Sequence, residues 1–255
     1  MATRHTRGLW YVCLTMAILA SGADAHGVQS TWICGDGNYS SLDCWDPRRA
    51  VEPCNYGPIT FDVVIPMNGS TITMDLEHCE VNSLDLGALS TFRVPRGSTY
   101  AVVGHADIAG IVDANGGDFR APEAEFKGGR AQVHASDGAY VEIGARSYSA
   151  TGLRGTYTLL SAEDEGTILN LSKLQEIGDG FSFGGATIHT HTIKATNRGT
   201  INLAGLLKIV GPADNERLDL IADAGGSLQL DSLETVTNTS GQGRVRFILD
   251  GNVDV

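Results

Sequence analysis

A degenerate pattern of apolar residues returns along the last third of the chain. Leu169-Asn170-Leu171-x-x-Leu174-x-x-Ile177 is followed by Ile201-Asn202-Leu203-x-x-Leu206-x-x-Ile209, then by Leu228-Gln229-Leu230-x-x-Leu233-x-x-Val236, and a fourth copy begins at Val253-Asp254-Val255. The third residues of successive copies are 32, 27 and 25 positions apart. Repeats of this length indicate a solenoid, because one unit cannot bury its apolar face without a neighbour.

Shorter runs of alternating apolar and polar residues, such as Phe61-x-Val63-x-Ile65, occupy the middle of the chain. Alternation predicts strands with one buried face, and Gly, Asn, Asp and Pro between the runs are typical of turns. Val112-x-Ala114-x-x-Gly117-x-Phe119 matches Val133-x-Ala135-x-x-Gly138-x-Tyr140 with a shift of 21 residues. We therefore predict an all-β parallel β-helix in which each repeat carries more than one strand.

A leucine-rich-repeat-like solenoid is the alternative fold, because L-x-L-x-x-L overlaps that consensus. The consensus requires Asn or Cys after the strand, whereas this chain has Leu174, Leu206 and Leu233 there. The missing polar ladder favours the β-helix. Gly199 and Gly226 are expected where a turn between strands needs a glycine backbone.

The first 25 residues have the features of a secretory signal peptide. A basic start with Arg4 and Arg7 precedes an apolar run over 9–20, and Ala23-Asp24-Ala25 is a small-x-small cleavage site. The run is too short to span a bilayer comfortably. We predict a signal peptide over 1–25, a Cys- and Trp-rich N-terminal cap over 26–58, and β-solenoid repeats over 59–255 that stop in mid-repeat. The protein is then secreted or at the cell surface, with no membrane span after cleavage.

Charge narrows the classes of partner. Removing Arg4, Arg7 and Asp24 with the signal leaves 16 basic and 29 acidic residues, a net charge of −13. Such a surface disfavours nucleic acid and anionic membranes. It suits solubility, and it leaves Ca²⁺ as a possible ion while no cofactor is indicated.

Four cysteines fall within 46 residues of the predicted exported chain, and the fifth, Cys13, lies in the signal. An even, clustered set in an exported protein predicts two disulfides. Three pairings are possible, and nearest-neighbour pairing in sequence favours Cys34–Cys44 and Cys54–Cys79. A zinc site is disfavoured, because the paired C-x-x-C spacing is missing.

Several segments resemble those of secreted bacterial repeat proteins. They are Trp32…Gly35-Asp36-Gly37…Cys44-Trp45-Asp46, Phe61–Pro66, Ser70–Asp75 and Val81–Gly87, together with the later leucine-patterned units. The chain is similar in these segments to pectin-lyase-like right-handed parallel β-helices of the autotransporter-passenger or adhesin type. The resemblance covers nearly the whole mature chain and implies fold far more than activity. The four cysteines depart from the pattern.

No catalytic site is predicted. Glycosidic cleavage needs two placed carboxylates, yet the chain has no Asp-Asp pair and no Asn-Thr-Asp. Gly104-His105-Ala106-Asp107 is only a partial echo of Gly-His-Gly, and we expect His105 in a turn. Asp214-Asn215-Glu216-Arg217 is the one compact candidate for a lyase site, and we expect a solvated loop there. Neither a phosphate-binding loop nor a Gly-x-Ser-x-Gly elbow is present.

Two further segments could hold a metal. His189-Thr190-His191 can place two imidazoles on one face of a strand, but no third ligand is evident, and we expect exposed histidines. Asp36-x-Asn38-x-Ser40 vaguely resembles an oxygen-rich Ca²⁺ loop but lacks the glycine and glutamate of an EF-hand.

These features predict a secreted or cell-surface structural or adhesive β-solenoid. The alternative is a polysaccharide-binding or polysaccharide-degrading β-helix, either a lyase or a hydrolase. The expected partners are an extracellular glycan or another surface molecule. Self-association through the C-terminal coil is also expected, because the chain stops on a strand in mid-repeat.

Overall fold

The computed structural model describes residues 27–182, 187–239 and 241–250, together with the backbone of 252–254. The predicted signal peptide over 1–25 lies outside the described residues. Within them the chain is all-β, with 27 short strands and a single three-residue 3-10 helix, Leu42–Cys44.

The strands are short and follow one another closely along the chain. They are β1 Val28–Trp32, β2 Gly37–Asn38, β3 Trp45–Asp46, β4 Phe61–Ile65, β5 Thr71–Thr73, β6 His78–Val81, β7 Ser83–Leu86, β8 Thr91–Pro95, β9 Thr99–Val102, β10 Ala106–Ile108, β11 Ile111–Asn115, β12 Asp118–Ala121, β13 Ala124–Phe126 and β14 Gln132–Ser136. They continue with β15 Tyr140–Ile143, β16 Ser147–Ser149, β17 Tyr157–Glu163, β18 Ile168–Asn170, β19 Glu176–Gly178, β20 Thr190–Thr196, β21 Thr200–Asn202, β22 Lys208–Gly211, β23 Arg217–Ala222, β24 Ser227–Gln229, β25 Thr235–Asn238, β26 Arg244–Leu249 and β27 Asn252–Asp254.

These strands form four sheets. Sheet A has the order β13-β10-β7-β4-β1-β3, sheet B runs β2-β5-β8-β11-β14-β17-β20-β23-β26, sheet C runs β27-β24-β21-β18-β15-β12-β9-β6, and sheet D is β16-β19-β22-β25. From β4 to β15 the chain visits sheets A, B and C in turn, and from β16 onward sheet D takes the place of sheet A. All of the paired strands are parallel except β1 and β3. This three-strand cycle is compatible with a β-helix-like solenoid.

Equivalent inward positions stack from one cycle to the next. In sheet C, the register aligns Tyr100 with Phe119, Phe119 with Val141, Val141 with Leu169, and Leu169 with Ile201. All five side chains are fully buried. Because a parallel sheet fixes the register of every rung, this position contributes one apolar residue per cycle to a continuous stack within the core.

The repeat alignment of the last third is confirmed. Leu169, Ile201 and Leu228 lie in register, as do Ile177, Ile209 and Val236 in sheet D. Each repeat supplies three strands, whereas a leucine-rich repeat supplies one strand and a helix or 3-10 segment. The leucine-rich alternative therefore does not describe these sheets.

One predicted alignment was wrong over half of its length. Val112 and Ala114 pair with Val133 and Ala135, as the 21-residue shift requires. In the next strand, however, Phe119 pairs with Val141, so the shift has become 22 residues. The turn before β15 holds one more residue than the turn before β12. This extra residue moves Tyr140 out of the core to a half-exposed position.

Gly199 and Gly226 are needed for close approach between neighbouring cycles. A Cβ on Gly226 would lie 2.1 Å from the carbonyl oxygen of Ala195, and one on Gly199 would lie 2.3 Å from that of Ala162. The left-handed conformation falls on the residue before each, with φ of 69° at Arg198 and 80° at Gly225. The expected need for glycine holds, but its cause is packing between backbones rather than φ.

The N-terminal segment closes one end of the core with aromatic rings. Trp32 and Trp45 pack edge to face at 5.1 Å, and Tyr39 lies 4.9 Å from Trp45 and 5.6 Å from Tyr100. β1 and β2 already belong to sheets A and B, and β3 adds an antiparallel strand at the edge of sheet A. The predicted cap over 26–58 thus includes the first strands of two sheets.

Two disulfides join Cys34 to Cys44 and Cys54 to Cys79, which is the pairing favoured from sequence. The first lies within the cap, and the second ties the cap to β6. Each bridge contributes about 2–4 kcal/mol by restricting the unfolded chain.

The opposite end of sheet B is its edge strand β26. Phe247 and Leu249 on this strand are 39% and 50% exposed, although they pair with the buried residues Leu220 and Ala222. Self-association through this edge stays a prediction.

Candidate functional site

A depression of about 370 Å³ opens on the outer face of sheet B, across β14, β17 and β20. We call it the β17 groove. Its polar lining consists of an amide, an imidazole, hydroxyls and an ion pair, from Gln132, His134, Ser136, Thr158, Ser161, Glu163 and Lys194. Because the three strands are consecutive rungs about 4.8 Å apart, side chains from different cycles meet in one surface.

A β-bulge in β17 shapes this groove. The register with β20 shifts between Thr158 and Leu160, which makes Leu159 an additional residue in the strand. Leu159 and Leu160 are both fully buried, so the alternation of inward and outward residues is broken there. A bulge bends its strand and re-aims the following side chains. After it, Ser161 faces outward between His134 and Lys194, its partners in register.

The groove contains a hydroxyl and an imidazole within hydrogen-bonding distance. Ser161 Oγ lies 3.2 Å from His134 Nδ1. Ser161 is 2% exposed and is one of the residues that line the groove. On the other side of Ser161, Lys194 Nζ lies 2.6 Å from Glu163 Oε1.

Burial lowers the pKa of His134, because removal from water disfavours the imidazolium. The carboxylates of Asp113 and Glu163 act against this shift, and the Lys194 ammonium reinforces it. His134 is consequently neutral at pH 7. Asp113 is itself held by Arg93, whose Nε lies 2.9 Å from Asp113 Oδ2. The groove therefore carries balanced charge and many neutral hydrogen-bonding groups.

A second polar surface lies on sheet D. Two adjoining depressions of about 440 and 200 Å³ share Arg146 and Gln175 in their walls. Lys208 crosses the larger one, with Nζ 3.1 Å from Glu176 Oε1. This surface mixes charges of both signs.

No family model, curated protein or solved structure matches this chain. The chemistry of the grooves therefore has to follow from their own geometry. The two disulfides indicate an oxidising, extracellular environment. Among the described segments, none forms a helix with the length and apolarity of a membrane span.

His105 lies in the turn before β10, beside two carboxylates of sheet A. Its Nε2 is 3.0 Å from Asp107 Oδ1, and Asp107 pairs in register with Glu125. Of the described residues, these three form the one group of potential metal ligands whose atoms lie within 4.8 Å of one another. Lys127 Nζ lies 2.5 Å from Glu125 and 3.5 Å from Asp107, so an ammonium already pairs with both carboxylates. The arrangement is an exposed ion-pair network.

The expectation of exposed histidines was wrong for His191. Its side chain is fully buried, in phase with Ile193 along β20, and hydrogen-bonds to the buried carboxylate of Asp179. Phe181 stacks on the imidazole with ring centroids 3.7 Å apart. Burial raises the pKa of Asp179, and His191 offsets part of the rise. The pair is a polar element inside the core.

The segment Asp214–Arg217, which we expected to be a solvated loop, is only partly exposed. Asp214 and Asn215 are exposed, whereas Glu216 is 2% exposed and accepts a hydrogen bond of 2.6 Å from the backbone N–H of His189. Glu216 thus holds the backbone just before β20 in place.

The Asp36-x-Asn38-x-Ser40 segment uses its polar groups to tie the cap to the following cycle. Asp36 Oδ1 accepts a hydrogen bond of 2.7 Å from the Thr71 N–H, and the Ser40 N–H donates to Asp75 at 2.9 Å. The Asp36 carboxylate and the Ser40 backbone thus bond to Thr71 in β5 and to Asp75 shortly after it.

Sequence reasoning missed the β17 groove. Ser161 and His134 are 27 residues apart, in segments whose alternation points to their inward residues rather than their outward ones. The one signal in the sequence is the run Leu159-Leu160-Ser161-Ala162, which breaks strict alternation and so indicates a bulge.

Proposed function

We propose that this protein is a secreted or cell-surface adhesive module whose β17 groove binds an extracellular glycan. The proposed scaffold is a right-handed parallel β-helix in which sheets A, B and C, and later D, B and C, close around one core. Crossovers between parallel strands of one sheet are right-handed in almost all proteins, which supports this hand.

The observation that carries the proposal is the composition of the groove. Gln132, Thr158, Ser161 and neutral His134 present donors and acceptors without net charge, and the Lys194 ammonium forms an ion pair with Glu163. A polyhydroxylated ligand needs such paired donors and acceptors, because its hydroxyls act as both. An extended ligand lying across the strands meets a new rung about every 4.8 Å.

The acidic surface argues for a neutral glycan over an acidic one. The mature chain has a net charge of −13, which repels polyanions at long range. Within the groove, the Lys194 ammonium is already paired with Glu163. We therefore expect recognition through hydrogen bonds and little dependence on salt.

Affinity electrophoresis in gels containing neutral polysaccharides, such as galactomannan or xyloglucan, tests this function. The exported protein should be retarded, and the double variant Gln132→Ala/Thr158→Ala should lose most of the retardation. Thr91→Ala is the matched control, because Thr91 lies half-exposed on β8 of the same sheet, away from the groove.

Two results would contradict the proposal. One is a wild-type protein that no neutral polysaccharide retards. The other is equal retardation of the wild type and the groove variant, which would place binding elsewhere. Retardation by polygalacturonate alone, lost with Arg146→Ala, would move the function to the sheet D surface.

A further inference from the structure

The β17 groove holds a nucleophile and a base in contact, which glycan binding alone does not require. Ser161 Oγ and His134 Nδ1 are 3.2 Å apart, within the range seen for an activated serine. We propose that Ser161 is a nucleophile that hydrolyses acyl esters in the β17 groove, with His134 as its general base. The identity of the ester as an acylated glycan depends on the proposed function, whereas the reactivity of Ser161 does not.

The bulge in β17 gives Ser161 its position. It follows the additional residue Leu159 and stands in register between His134 on β14 and Lys194 on β20. Ser136 provides a contrast, because it also lines the groove but has no imidazole in register with it: its neighbour across β14 and β11 is Asn115. Of these two serines, Ser161 is the one placed against a base.

His134 is in the protonation state that a base requires. Its burial favours the neutral imidazole, whose Nδ1 can then accept the Ser161 proton. Asp113 pairs in register with His134 on the neighbouring strand, and its negative charge favours the imidazolium formed during reaction. Asp113 thus acts electrostatically, through His134.

Lys194 supplies positive charge on the far side of the nucleophile. Lys194 is the register partner of Ser161 and is itself half-exposed at the groove. A carbonyl oxygen that becomes negative as Ser161 adds to its carbon is stabilised by a nearby cation. The Glu163 carboxylate holds this ammonium in place at 2.6 Å.

The reaction balances without any co-reactant except water. The Ser161 oxygen forms a bond to the ester carbonyl carbon while its proton passes to His134 Nδ1. The tetrahedral adduct then breaks the carbon–oxygen bond to the alcohol, which leaves with the proton from His134. In the second half, water gives a proton to His134 and attacks the acyl-serine. A carboxylic acid and free Ser161 are released as the proton returns to the serine oxygen.

A fluorophosphonate probe tests the nucleophile directly. The serine oxygen displaces fluoride from phosphorus, so intact-mass spectrometry should show one added phosphonyl group, and peptide mapping should place it on Ser161. Ser161→Ala should abolish labelling, and Ser227→Ala, at a half-exposed serine on β24 of sheet C, should label as the wild type does. Because mapping uses the wild-type protein, its result holds even if a variant folds poorly. An unlabelled protein, or a label on another serine, would overturn the proposal.

Hydrolysis of p-nitrophenyl acetate tests the base. His134→Gln should lower the rate by about 10²- to 10⁴-fold, the usual contribution of a general base. The wild-type rate should stay level from pH 8 to below pH 6.5, the ordinary His pKa, and should fall only in more acidic solution. Asp113→Asn should shift that fall, a response that a purely structural role would not give. Equal rates for wild type and His134→Gln would refute the base assignment.

The two proposals fail in different ways. Retardation by glycans without labelling of Ser161 would leave a binding groove that has no nucleophile. Labelling of Ser161 without retardation by any glycan would leave an acyl hydrolase whose substrate is another class of ester.

Discussion

Leu203→Ala tests the stacked core, because Leu203 is fully buried between equivalent residues of neighbouring cycles. The Leu171 N–H donates to Asn202 O at 2.9 Å, and the Leu203 N–H donates to Gln229 O at 3.0 Å. These bonds hold the backbones before and after Leu203 at fixed spacing. The space left by three deleted heavy atoms therefore cannot collapse.

The magnitude follows from that rigidity. A buried Leu→Ala change costs about 2–5 kcal/mol, and the upper half of the range applies where the site cannot relax. For a chain of this size, each kcal/mol lowers Tm by about 2–4 °C. We therefore expect Leu203→Ala to lose about 3–5 kcal/mol of unfolding free energy and about 6–20 °C in Tm. Leu207→Ala, in which the same side chain starts 40% exposed, should cost no more than about 1 kcal/mol.

The assay is thermal unfolding followed by far-UV circular dichroism, with urea unfolding as a second measure. Both variants remove the same atoms, so their difference isolates burial within the stack. The reasoning is refuted if Leu203→Ala melts within about 2 °C of the wild type. It is equally refuted if Leu207→Ala loses as much stability as Leu203→Ala, since the two sites would then share one environment.

Three further results are expected. Gly226→Ala should destabilise the protein strongly in the same melting assay, because the added Cβ would lie 2.1 Å from the Ala195 carbonyl oxygen. Gly35→Ala should change Tm little, because no atom lies within 4 Å of the added carbon. Similar Tm values for the two variants would show that close approach between backbones is not the reason for Gly226. Because the pKa of His134 is lowered in the folded protein, the stability that neutral His134 contributes is present above the ordinary His pKa and is lost as the pH falls toward the folded pKa. The difference in unfolding free energy between the wild type and His134→Gln, measured by urea titration, should therefore shrink below pH 6.5. A difference that does not change with pH would contradict the lowered pKa. N-terminal sequencing of exported protein should start immediately after Ala25, and a retained initiator methionine would exclude the signal peptide.

The repeats could be predicted from sequence because parallel pairing stacks like residues on one another. Leu169, Ile201 and Leu228 recur at the same point of each cycle, and a buried stack tolerates only apolar side chains there. The disulfide pairing could be predicted for a different reason, because Cys34 and Cys44 are separated by only ten positions.

The two predictions that were wrong, the Phe119 alignment and the exposure of His191, have local causes. Phe119 was aligned with Tyr140 instead of Val141, because one residue added to a turn changes which side chain faces inward and leaves no mark in composition. His191 was placed at the surface because a polar residue in a strand usually faces water, but Asp179, in the segment between β19 and β20, provides it with a buried partner. Which side chains of a strand face inward depends on its register, and single-sequence patterns specify register only where the two faces of the strand differ clearly.

The first cycles and the edge strand β26 also differ in how they resist a mechanical load. Hydrogen bonds between parallel strands run along the stacking direction, so a pull in that direction loads one rung at a time and detaches strands in succession. At the first cycles, the Cys54–Cys79 bridge carries such a load covalently from the cap to β6. At β26 the strand is held by hydrogen bonds and packing. Under such a load, the hydrogen-bonded rung at β26 would therefore detach before the disulfide-bridged first cycles separate.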